Sequence, residues 1–205
     1  MVKLDLKAEL KEFYHATAKK TVLVDVPEMN FLMVDGTGDP NTSTRFQEAT
    51  EALYNLSYAL KFMVKKGRTG VDYKVMPLEG LWWTDNPAEF SLEGKDRWHW
   101  TLMIMQPDLV TPLLFEEAFL QVKEKKGQSI LPEIRLASYN EGLAVQTMHI
   151  GPYSEEDTAI ARIHSFMEVK GYLPAGKHHE IYLSNPQKTS PQRLKTIIRQ
   201  PVKRV

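Results

Sequence analysis

The feature that most constrains the fold of this chain is a strand–helix–strand–strand pattern that occurs twice. The first unit has a strand ending in NFLMVDG, a polar loop, a long helix, a strand that contains Glu79 and a strand that contains Trp98 and Trp100. The second unit has the strand AVQTMHIG, a turn at Pro152, a helix, a strand that contains Glu180 and the strand KTIIRQ. The pattern predicts two similar β-α-β-β modules, which arose either by duplication or as a chance similarity of two common patterns.

The helix of the first unit has the clearest periodicity. Apolar residues recur at helical spacing over residues 44–66, directly after the candidate caps Thr42 and Ser43. The members of this stripe are Phe46, Leu53, Leu56, Leu60 and Val64. Tyr54 and Tyr58, four residues apart, lie on the neighbouring stripe. The helix is therefore expected to bury its apolar stripe against a sheet and to present two tyrosines beside it.

We expect a single domain over residues 1–205, in the α+β class. The first module takes residues 28–107 and the second takes residues 142–201. Residues 108–141 connect them and supply a further helix, predicted over residues 112–126, and a strand. Strands that follow one another through short turns favour an antiparallel sheet, with the helices packed on one side of it. A chain of 205 residues is long enough to bury a core of that kind.

The charge balance and the lack of cysteine exclude several function classes. The chain has 26 Lys and Arg against 26 Asp and Glu, which argues against a general nucleic-acid-binding protein with its excess of positive charge. There is no cysteine, so disulfides, thiol nucleophiles and thiolate metal sites are excluded. The sequence has neither a signal-peptide pattern nor an apolar run of about 18 residues. We therefore expect a soluble, cytoplasmic protein without membrane or direct nucleic-acid contacts.

The stretch KHHEIYLSNP, residues 177–186, places a glutamate inside an apparent strand. Glutamate is depleted in strands, so Glu180 either faces solvent or is held in a cleft. Alternate residues of a strand share a face, and His178 and Tyr182 therefore lie in one row with Glu180. The other row, which begins at His179, is more apolar and is expected to face the core.

The corresponding strand of the first unit, LEGLWW, has a similar composition. Alternation places Glu79 in one row with Leu81 and Trp83, and Trp98 and Trp100 lie together near the start of the following strand. We therefore expect both units to contribute to one surface that carries carboxylates, a tyrosine and several indoles. This surface would lie opposite the one that the helices cover.

Such a surface suits bulky, flat and cationic ligands, because aromatic rings offer large apolar faces that also attract cations. A partly buried glutamate adds a negative charge, or a general base if desolvation raises its pKa. Ordinary alternatives stay open. A glutamate on an edge strand prevents aggregation, tryptophans more often belong to the core, and Tyr54 and Tyr58 can simply border the helix.

A metal site is a weaker prediction from the same residues. His178 and Glu180 share a face and could ligate zinc together with His149, but two neighbours with an unlocated third ligand are thin evidence. The stretch DGTGDP contains glycines, yet it has neither the phosphate-loop nor the dinucleotide-binding pattern, and a turn is the better interpretation. We therefore predict no metal and no cofactor.

Several stretches taken together resemble the GyrI-like (gyrase-inhibitor-like) family of small-molecule-binding proteins. They are DLKAELKEFYHA, FLMVDGTGDPN, ALYNLSYALKF, EGLWW, MHIGPYSEE, HHEIYLSNP and LKTIIRQPV. The resemblance implies a tandem pair of SHS2-like modules around a pseudo-twofold axis, with an aromatic ligand groove between them. No helix-turn-helix region precedes Thr21, so the chain resembles the stand-alone members more than the transcription regulators.

The resemblance also implies a function and the residues that carry it. Family members bind hydrophobic cations beside an acidic residue, and some stand-alone members hydrolyse cyclopropane-bearing toxins that alkylate DNA. The key carboxylate would be Glu180, acting as general base on a water molecule, while the hydroxyl of Tyr58 polarises a conjugated carbonyl. The further candidate ligand-binding residues are Tyr54, Glu79, Trp83, Trp100, His178 and Tyr182.

Two classes of function therefore stay open. One is a hydrolase that detoxifies reactive planar compounds. The other is a non-catalytic protein that senses or sequesters such compounds or contacts a partner protein. Hydrophobic planar small molecules are the expected partners of the site, but the sequence identifies neither the natural ligand nor the oligomeric state. Exposed aromatic residues would also suit a dimer interface.

Overall fold

The computed structural model describes residues 2–86, 94–126 and 131–205, and the elements below belong to these ranges. The strands are β1 (Val2–Leu4), β2 (Val22–Thr37), β3 (Val71–Tyr73), β4 (Leu78–Trp83), β5 (His99–Gln106), β6 (Arg135–Ile150), β7 (Tyr172–Pro174), β8 (His178–Tyr182) and β9 (Lys195–Arg204). The helices are α1 (Leu6–Glu9), α2 (Lys11–Tyr14), α3 (Thr44–Lys66), α4 (Pro112–Lys126) and α5 (Asp157–Lys170).

Six strands form a barrel-like antiparallel sheet. Their hydrogen-bonded order is β6-β2-β5-β4-β8-β9, and β9 pairs in turn with β6, which closes the ring. The short strand β7 extends the end of β9, while β1 and β3 form a separate parallel pair. Ring closure satisfies the backbone groups that an open sheet would leave at its edges. The α+β class, with an antiparallel sheet and helices on one side, is thereby confirmed.

Two of the strands are much longer than the sequence suggested. The sequence predicts separate strands over residues 21–26 and 29–36, on either side of Pro27, and over residues 133–139 and 142–151, on either side of Glu141. In the structure β2 and β6 each run through these positions for 16 residues. Pro27 has no N–H to donate, and the pairing passes around it from Val26 opposite Gly142 to Glu28 opposite Asn140. Gly142 has a φ of +69°, which glycine adopts without steric cost. The chain therefore bends here without ending either strand.

Helices α3 and α4 have the predicted bounds. A capping residue fixes where each of them begins. Ser43 Oγ accepts a hydrogen bond of 3.2 Å from the Phe46 N–H at the start of α3, and Thr111 Oγ1 accepts one of 3.2 Å from the Leu114 N–H at the start of α4. The apolar spacing of Leu6, Leu10 and Phe13 predicts one helix over residues 5–18, but the structure has the short pair α1 and α2 there. None of the helices in the described part of the chain is long and apolar enough to cross a membrane.

The outer face of the barrel is covered by helices, and its inner face is closed by side chains. Helix α3 packs on β2 and β5, where the ring of Phe46 contacts Trp82 and Trp100. Helix α5 packs on β6 and β9, and α4 packs on α3. On the inner face, Tyr14 from α2 reaches across to Glu79. The strands β4 and β8, one from each unit, meet between α3 and α5 and position the candidate site.

Candidate functional site

The row of side chains predicted on β8 is present and is held together by hydrogen bonds. It lies on the outer, helix-covered face of the barrel, so the expectation that it lies opposite the helices is wrong: Trp82, on the same face, stacks on Phe46 of α3. Tyr182 Oη donates to Glu180 Oε2 at 2.8 Å, and His178 Nε2 lies 3.2 Å from Glu180 Oε1. The side chain of Glu180 is only 11% exposed. Alternation along the strand places these three polar side chains on one face, so both oxygens of the Glu180 carboxylate have hydrogen-bond partners on the same strand.

Aromatic rings surround this row. Trp82 Nε1–H donates to Tyr182 Oη at 3.2 Å, and Tyr153 packs edge-on against the Tyr182 ring with centroids 5.7 Å apart. Trp82 is in turn stacked on Phe46 and met edge-on by Trp98. We call Phe46, Trp82, Trp98, Tyr153 and Tyr182 the aromatic cluster. It connects the first unit, through Trp82, to the carboxylate of the second.

A second carboxyl group, that of Glu156, lies beside Glu180. Glu156 precedes helix α5 and is 4% exposed. Burial, followed by the charge of Glu180, raises the pKa of Glu156 to about 9. Burial also opposes ionisation of Glu180, but the hydrogen bonds with His178 and Tyr182 outweigh it and lower the pKa of Glu180. At neutral pH the pair is therefore one neutral acid next to one carboxylate.

The hydroxyls near the pair stay protonated at neutral pH. Burial and the charge of Glu156 raise the pKa of Tyr153 to about 12, and burial followed by the charge of Glu180 raises the pKa of Tyr182 well above its ordinary value. The pKa of Tyr54 is also raised, mainly by burial, and its ring is close enough to affect that of Tyr153. The site thus offers phenolic donors and one fixed negative charge within apolar surroundings.

Sequence reasoning did not single out Glu156. The residue was present in the stretch MHIGPYSEE, but acidic residues near a helix start are usually solvated and interact with the helix N-terminus. A short 3-10 turn over Tyr153–Glu155 precedes α5 and turns the next residue inward. Only the tertiary packing of α5 on β9 reveals this partner of Glu180.

Glu79 and Trp83 do not lie on the surface of Glu180. Across the β4–β8 pair, Glu79 is opposite Ile181 and Gly80 is opposite Glu180. Residues directly opposite each other share a face, so Glu79 and Trp83 belong to the inner face of the barrel. The expectation that Glu79 and Trp83 share a surface with Glu180 is therefore wrong. The residue of β4 that pairs with Glu180 is one position away from Glu79, and a shift of one residue along a strand moves a side chain to the other face of the sheet.

Glu79 instead belongs to a buried network of charged groups on the inner face. Tyr14 Oη donates to Glu79 Oε1 at 2.7 Å, and His179 Nε2 lies 3.0 Å from Glu79 Oε2. His179 Nδ1 lies 2.8 Å from Glu141 Oε1, and Arg199 Nη1 donates to Glu141 Oε2 at 2.7 Å. The ionised side chains are 1–2% exposed. The charges of two carboxylates and two cations compensate one another here. Because these side chains are buried, the network stabilises the fold and offers no access for a ligand.

The other predicted residues lie at different distances from the surface. Trp100 is fully buried beneath Phe46, so it supports the aromatic cluster without being exposed in it. Tyr54 and Tyr58 stack on each other along α3 with centroids 6.4 Å apart. Tyr58 is 48% exposed and lines a groove of about 420 Å3 between α3 and α4. Its predicted role towards a ligand at Glu180 stays a prediction.

The suggested zinc ligands are not brought together. His149 Nε2 lies 3.0 Å from the carbonyl oxygen of Pro152, which uses that nitrogen, whereas His178 is bound to Glu180. Within residues 2–86, 94–126 and 131–205 there is no group of three or more His, Asp or Glu side chains that could hold a metal ion.

The sheet, the helices above it and a buried carboxylate among aromatic rings define a small-molecule-binding α+β domain. Residues 19–203 match the model of the GyrI-like small molecule binding domain, which is nearly the whole chain. The chain therefore belongs to the GyrI-like family. No protein with a curated description shows a significant match.

Several solved structures are similar to this chain. An uncharacterized conserved protein from Listeria innocua is 42% identical, with 98% of this chain and 100% of that chain covered and a TM-score of 0.90. A hydrolase from Listeria innocua is 41% identical over the same shares, with a TM-score of 0.85. The C-terminal domain of EcmrR is 15% identical over 91% of this chain and 98% of that one, with a TM-score of 0.58, and shows likeness of fold alone.

Proposed function

We propose that the site around Glu180 binds bulky, planar, hydrophobic or cationic compounds and hydrolyses the activated cyclopropane ring of genotoxic alkylators. The observation that carries the proposal is the pair of buried carboxyl groups with opposite protonation, Glu180 ionised and Glu156 neutral, next to the aromatic cluster. Two carboxyl groups whose pKa values are pushed apart are a common source of a base and an acid in one site. The similarity to the hydrolase from Listeria innocua supports a hydrolytic reaction.

The proposed reaction requires a base, an acid and a way to hold the substrate. The aromatic cluster binds the flat ring system and excludes bulk water. Glu180 accepts a proton from a water molecule as its oxygen attacks a cyclopropane carbon. The electrons of the broken C–C bond move into the conjugated carbonyl, whose oxygen receives a proton from Glu156 or a nearby tyrosine. The product contains one additional water molecule, and the protein returns to its starting state by proton exchange with solvent.

The choice of acid follows from position. Glu156 is buried close enough to Glu180 for that charge to raise its pKa, and it is protonated at neutral pH, so it can donate a proton to a substrate. Tyr58, the residue chosen from the sequence, is largely exposed and borders the groove next to α4. We propose Glu156 as the principal proton donor, with Tyr58 as a residue that contacts the distal end of a long ligand.

The experiment is mass spectrometry of a cyclopropane-bearing alkylator after incubation with wild-type protein and three variants. Glu180→Gln is expected to bind the neutral substrate and give no hydrated product, and Glu156→Gln to give product more slowly. Glu155→Gln is the matched control, because Glu155 is the exposed neighbour in sequence. The hydrolase proposal is wrong if wild-type protein binds these compounds and yields no hydrated product, or if Glu180→Gln turns over as fast as wild type.

A second candidate function, cation binding without reaction, is favoured by one observation. The lowered pKa of Glu180 keeps it charged, which weakens it as a base and suits it to pairing with a cationic ligand. In that case Glu180→Gln loses affinity for a planar cation and keeps its affinity for a neutral analogue of equal shape. Calorimetric titration with the two ligands separates this function from the hydrolase, since the hydrolase keeps substrate affinity in the variant.

A further inference from the structure

A second cavity opens on the inner face of the barrel, on the side of β4 away from Glu180. It has a volume of about 340 Å3, at the lower end of the range for sites that bind small organic molecules. Its floor is apolar and comes from β2, β4 and β6. The floor residues are Met33, Leu81, Ala137 and Tyr139. The remaining lining includes Trp83, Lys177, Arg135 and Asp35.

One wall of the cavity is a flat aromatic surface. The Nζ of Lys177 lies 3.3 Å from the centroid of the Trp83 ring, and His99 stacks on the same indole with centroids 5.6 Å apart and an interplanar angle of 17°. The two neighbours differ in how easily they can move. His99 belongs to the backbone-paired strand β5, whereas the ammonium group of Lys177 sits at the end of a flexible side chain. The indole face under Lys177 is therefore the one that an incoming ring can occupy.

The charges of the lining favour an anion. Arg135 forms a two-pronged ion pair with Asp35, through contacts of 2.9 and 3.1 Å, and Thr101 Oγ1 donates to the same carboxylate at 2.7 Å. Lys177 has a pKa lowered by burial, and the charge of Asp35 only partly offsets this. The lining thus has two cations against one carboxylate. Arg135 uses two of its five N–H groups on Asp35 and keeps others for a second acceptor.

We propose that this cavity is a second ligand site, separate from the Glu180 site, which binds a planar aromatic carboxylate. The ring of the ligand lies on the Trp83 indole in the place of the Lys177 ammonium. The ammonium then pairs with the ligand carboxylate, together with the free donors of Arg135. An anion compensates the charge of Lys177 better than an indole face does, and the ring regains the aromatic contact that the ammonium gives up.

The test is calorimetric titration of the full chain with naphthalene-2-carboxylate and with its neutral isostere, naphthalene-2-carboxamide. The carboxylate is expected to bind at least about tenfold more tightly than the amide, as a charge-assisted hydrogen bond requires. Lys177→Gln and Arg135→Gln should each weaken binding of the carboxylate by roughly tenfold and leave binding of the amide nearly unchanged. Trp83→Leu should weaken binding of both compounds.

Two controls make the result specific to the inner face. Glu180→Gln changes the charge of the opposite face and should leave affinity for the carboxylate unchanged. Lys188→Gln removes an exposed positive charge in the turn after β8 and should also have no effect. All variants are first compared with wild type in thermal unfolding. The proposal is overturned if neither compound binds at millimolar concentration, if both bind equally, or if Glu180→Gln rather than Lys177→Gln abolishes binding.

Discussion

Gly80 lies directly opposite Glu180 across the β4–β8 pair, and both face the side of the barrel that the helices cover. Gly80 itself therefore places no side chain opposite the carboxylate. A Cβ atom on Gly80 would lie only 2.7 Å from Trp82 Nε1 and 3.0 Å from its Cε2 atom. The absent side chain provides the space in which the indole of Trp82 reaches Tyr182.

We predict that Gly80→Ala damages the site more than the fold. The added methyl group must displace the Trp82 indole, which costs about 1–3 kcal/mol of stability, typical of overpacking. Loss of the Trp82–Tyr182 hydrogen bond is expected to reduce affinity for a planar cation by roughly tenfold. Near-ultraviolet circular dichroism reports the indole displacement and calorimetry reports the affinity. An unchanged aromatic spectrum with unchanged affinity would contradict this role for Gly80.

Much of the fold could be predicted because its signals are local. Ser43 caps α3 as expected, and strict alternation placed His178, Glu180 and Tyr182 on one face of β8. The sequence predicts that a strand ends before Pro27, because a proline cannot donate a hydrogen bond to its neighbour in a sheet. In the structure β2 bends at Pro27, opposite Glu141, and continues. This continuation depends on pairing with β6, more than a hundred residues away in the sequence.

The candidate site was predicted less completely, because its composition depends on tertiary packing. The glutamates of LEGLWW and HHEIYL invite an alignment of Glu79 with Glu180, yet the register pairs Gly80 with Glu180. A shift of one residue cannot be detected from composition, and it decides which face a side chain occupies. Glu156 was missed for a related reason, since only the docking of α5 on the sheet brings it next to Glu180.

We predict that Glu156→Gln stabilises the protein at neutral pH. The pKa of Glu156 is raised from an ordinary value of 4.5 to about 9, so folding keeps a proton that the unfolded chain loses. The contribution of Glu156 to the free energy of unfolding is therefore most favourable below pH 4.5 and declines as pH rises towards 9. Glutamine mimics the neutral acid and removes this decline, with a gain of roughly 1–3 kcal/mol at pH 7.

Urea unfolding at several pH values measures this effect. The variant should be more stable than wild type at pH 7 and 8 and should converge with it below pH 4.5, where the acid is protonated in both states. Glu155→Gln, at the exposed neighbouring position, should show no such pH dependence. A variant that is less stable than wild type at pH 8 would show that Glu156 is ionised in the folded protein.

The inner-face network predicts a large penalty for Glu141→Gln. Glu141 is 2% exposed and is the partner of both His179 and Arg199, so its loss leaves two buried cations with one carboxylate. Removing one partner of a buried ion pair typically costs roughly 3–5 kcal/mol. Glu133→Gln is the control, because Glu133 pairs with Arg45 at the surface and should cost about 1 kcal/mol or less. Equal losses in the two variants would show that burial does not strengthen the network.

The same network predicts a loss of stability in both acid and alkali. Glu141 is buried, and the charges of His179 and Arg199 outweigh that burial and lower its pKa from 4.5 to about 2. Its contribution is therefore complete above pH 4.5 and is lost as pH falls towards 2. Burial likewise opposes the charge on His179, but Glu141 and Glu79 outweigh it and raise its pKa from 6.5 to about 9. This contribution is complete below pH 6.5 and is lost as pH rises through 9.

Urea unfolding of Glu156→Gln between pH 2 and 10 isolates the two effects, because the variant removes the alkaline decline caused by Glu156 itself. The network should contribute a constant free energy of unfolding between pH 4.5 and 6.5, with a loss on either side. Adding Glu141→Gln should flatten the acid side, and adding His179→Gln should flatten the alkaline side. If the alkaline loss persists undiminished without His179, the imidazole is neutral in the folded barrel and its contacts with the two glutamates are not ion pairs.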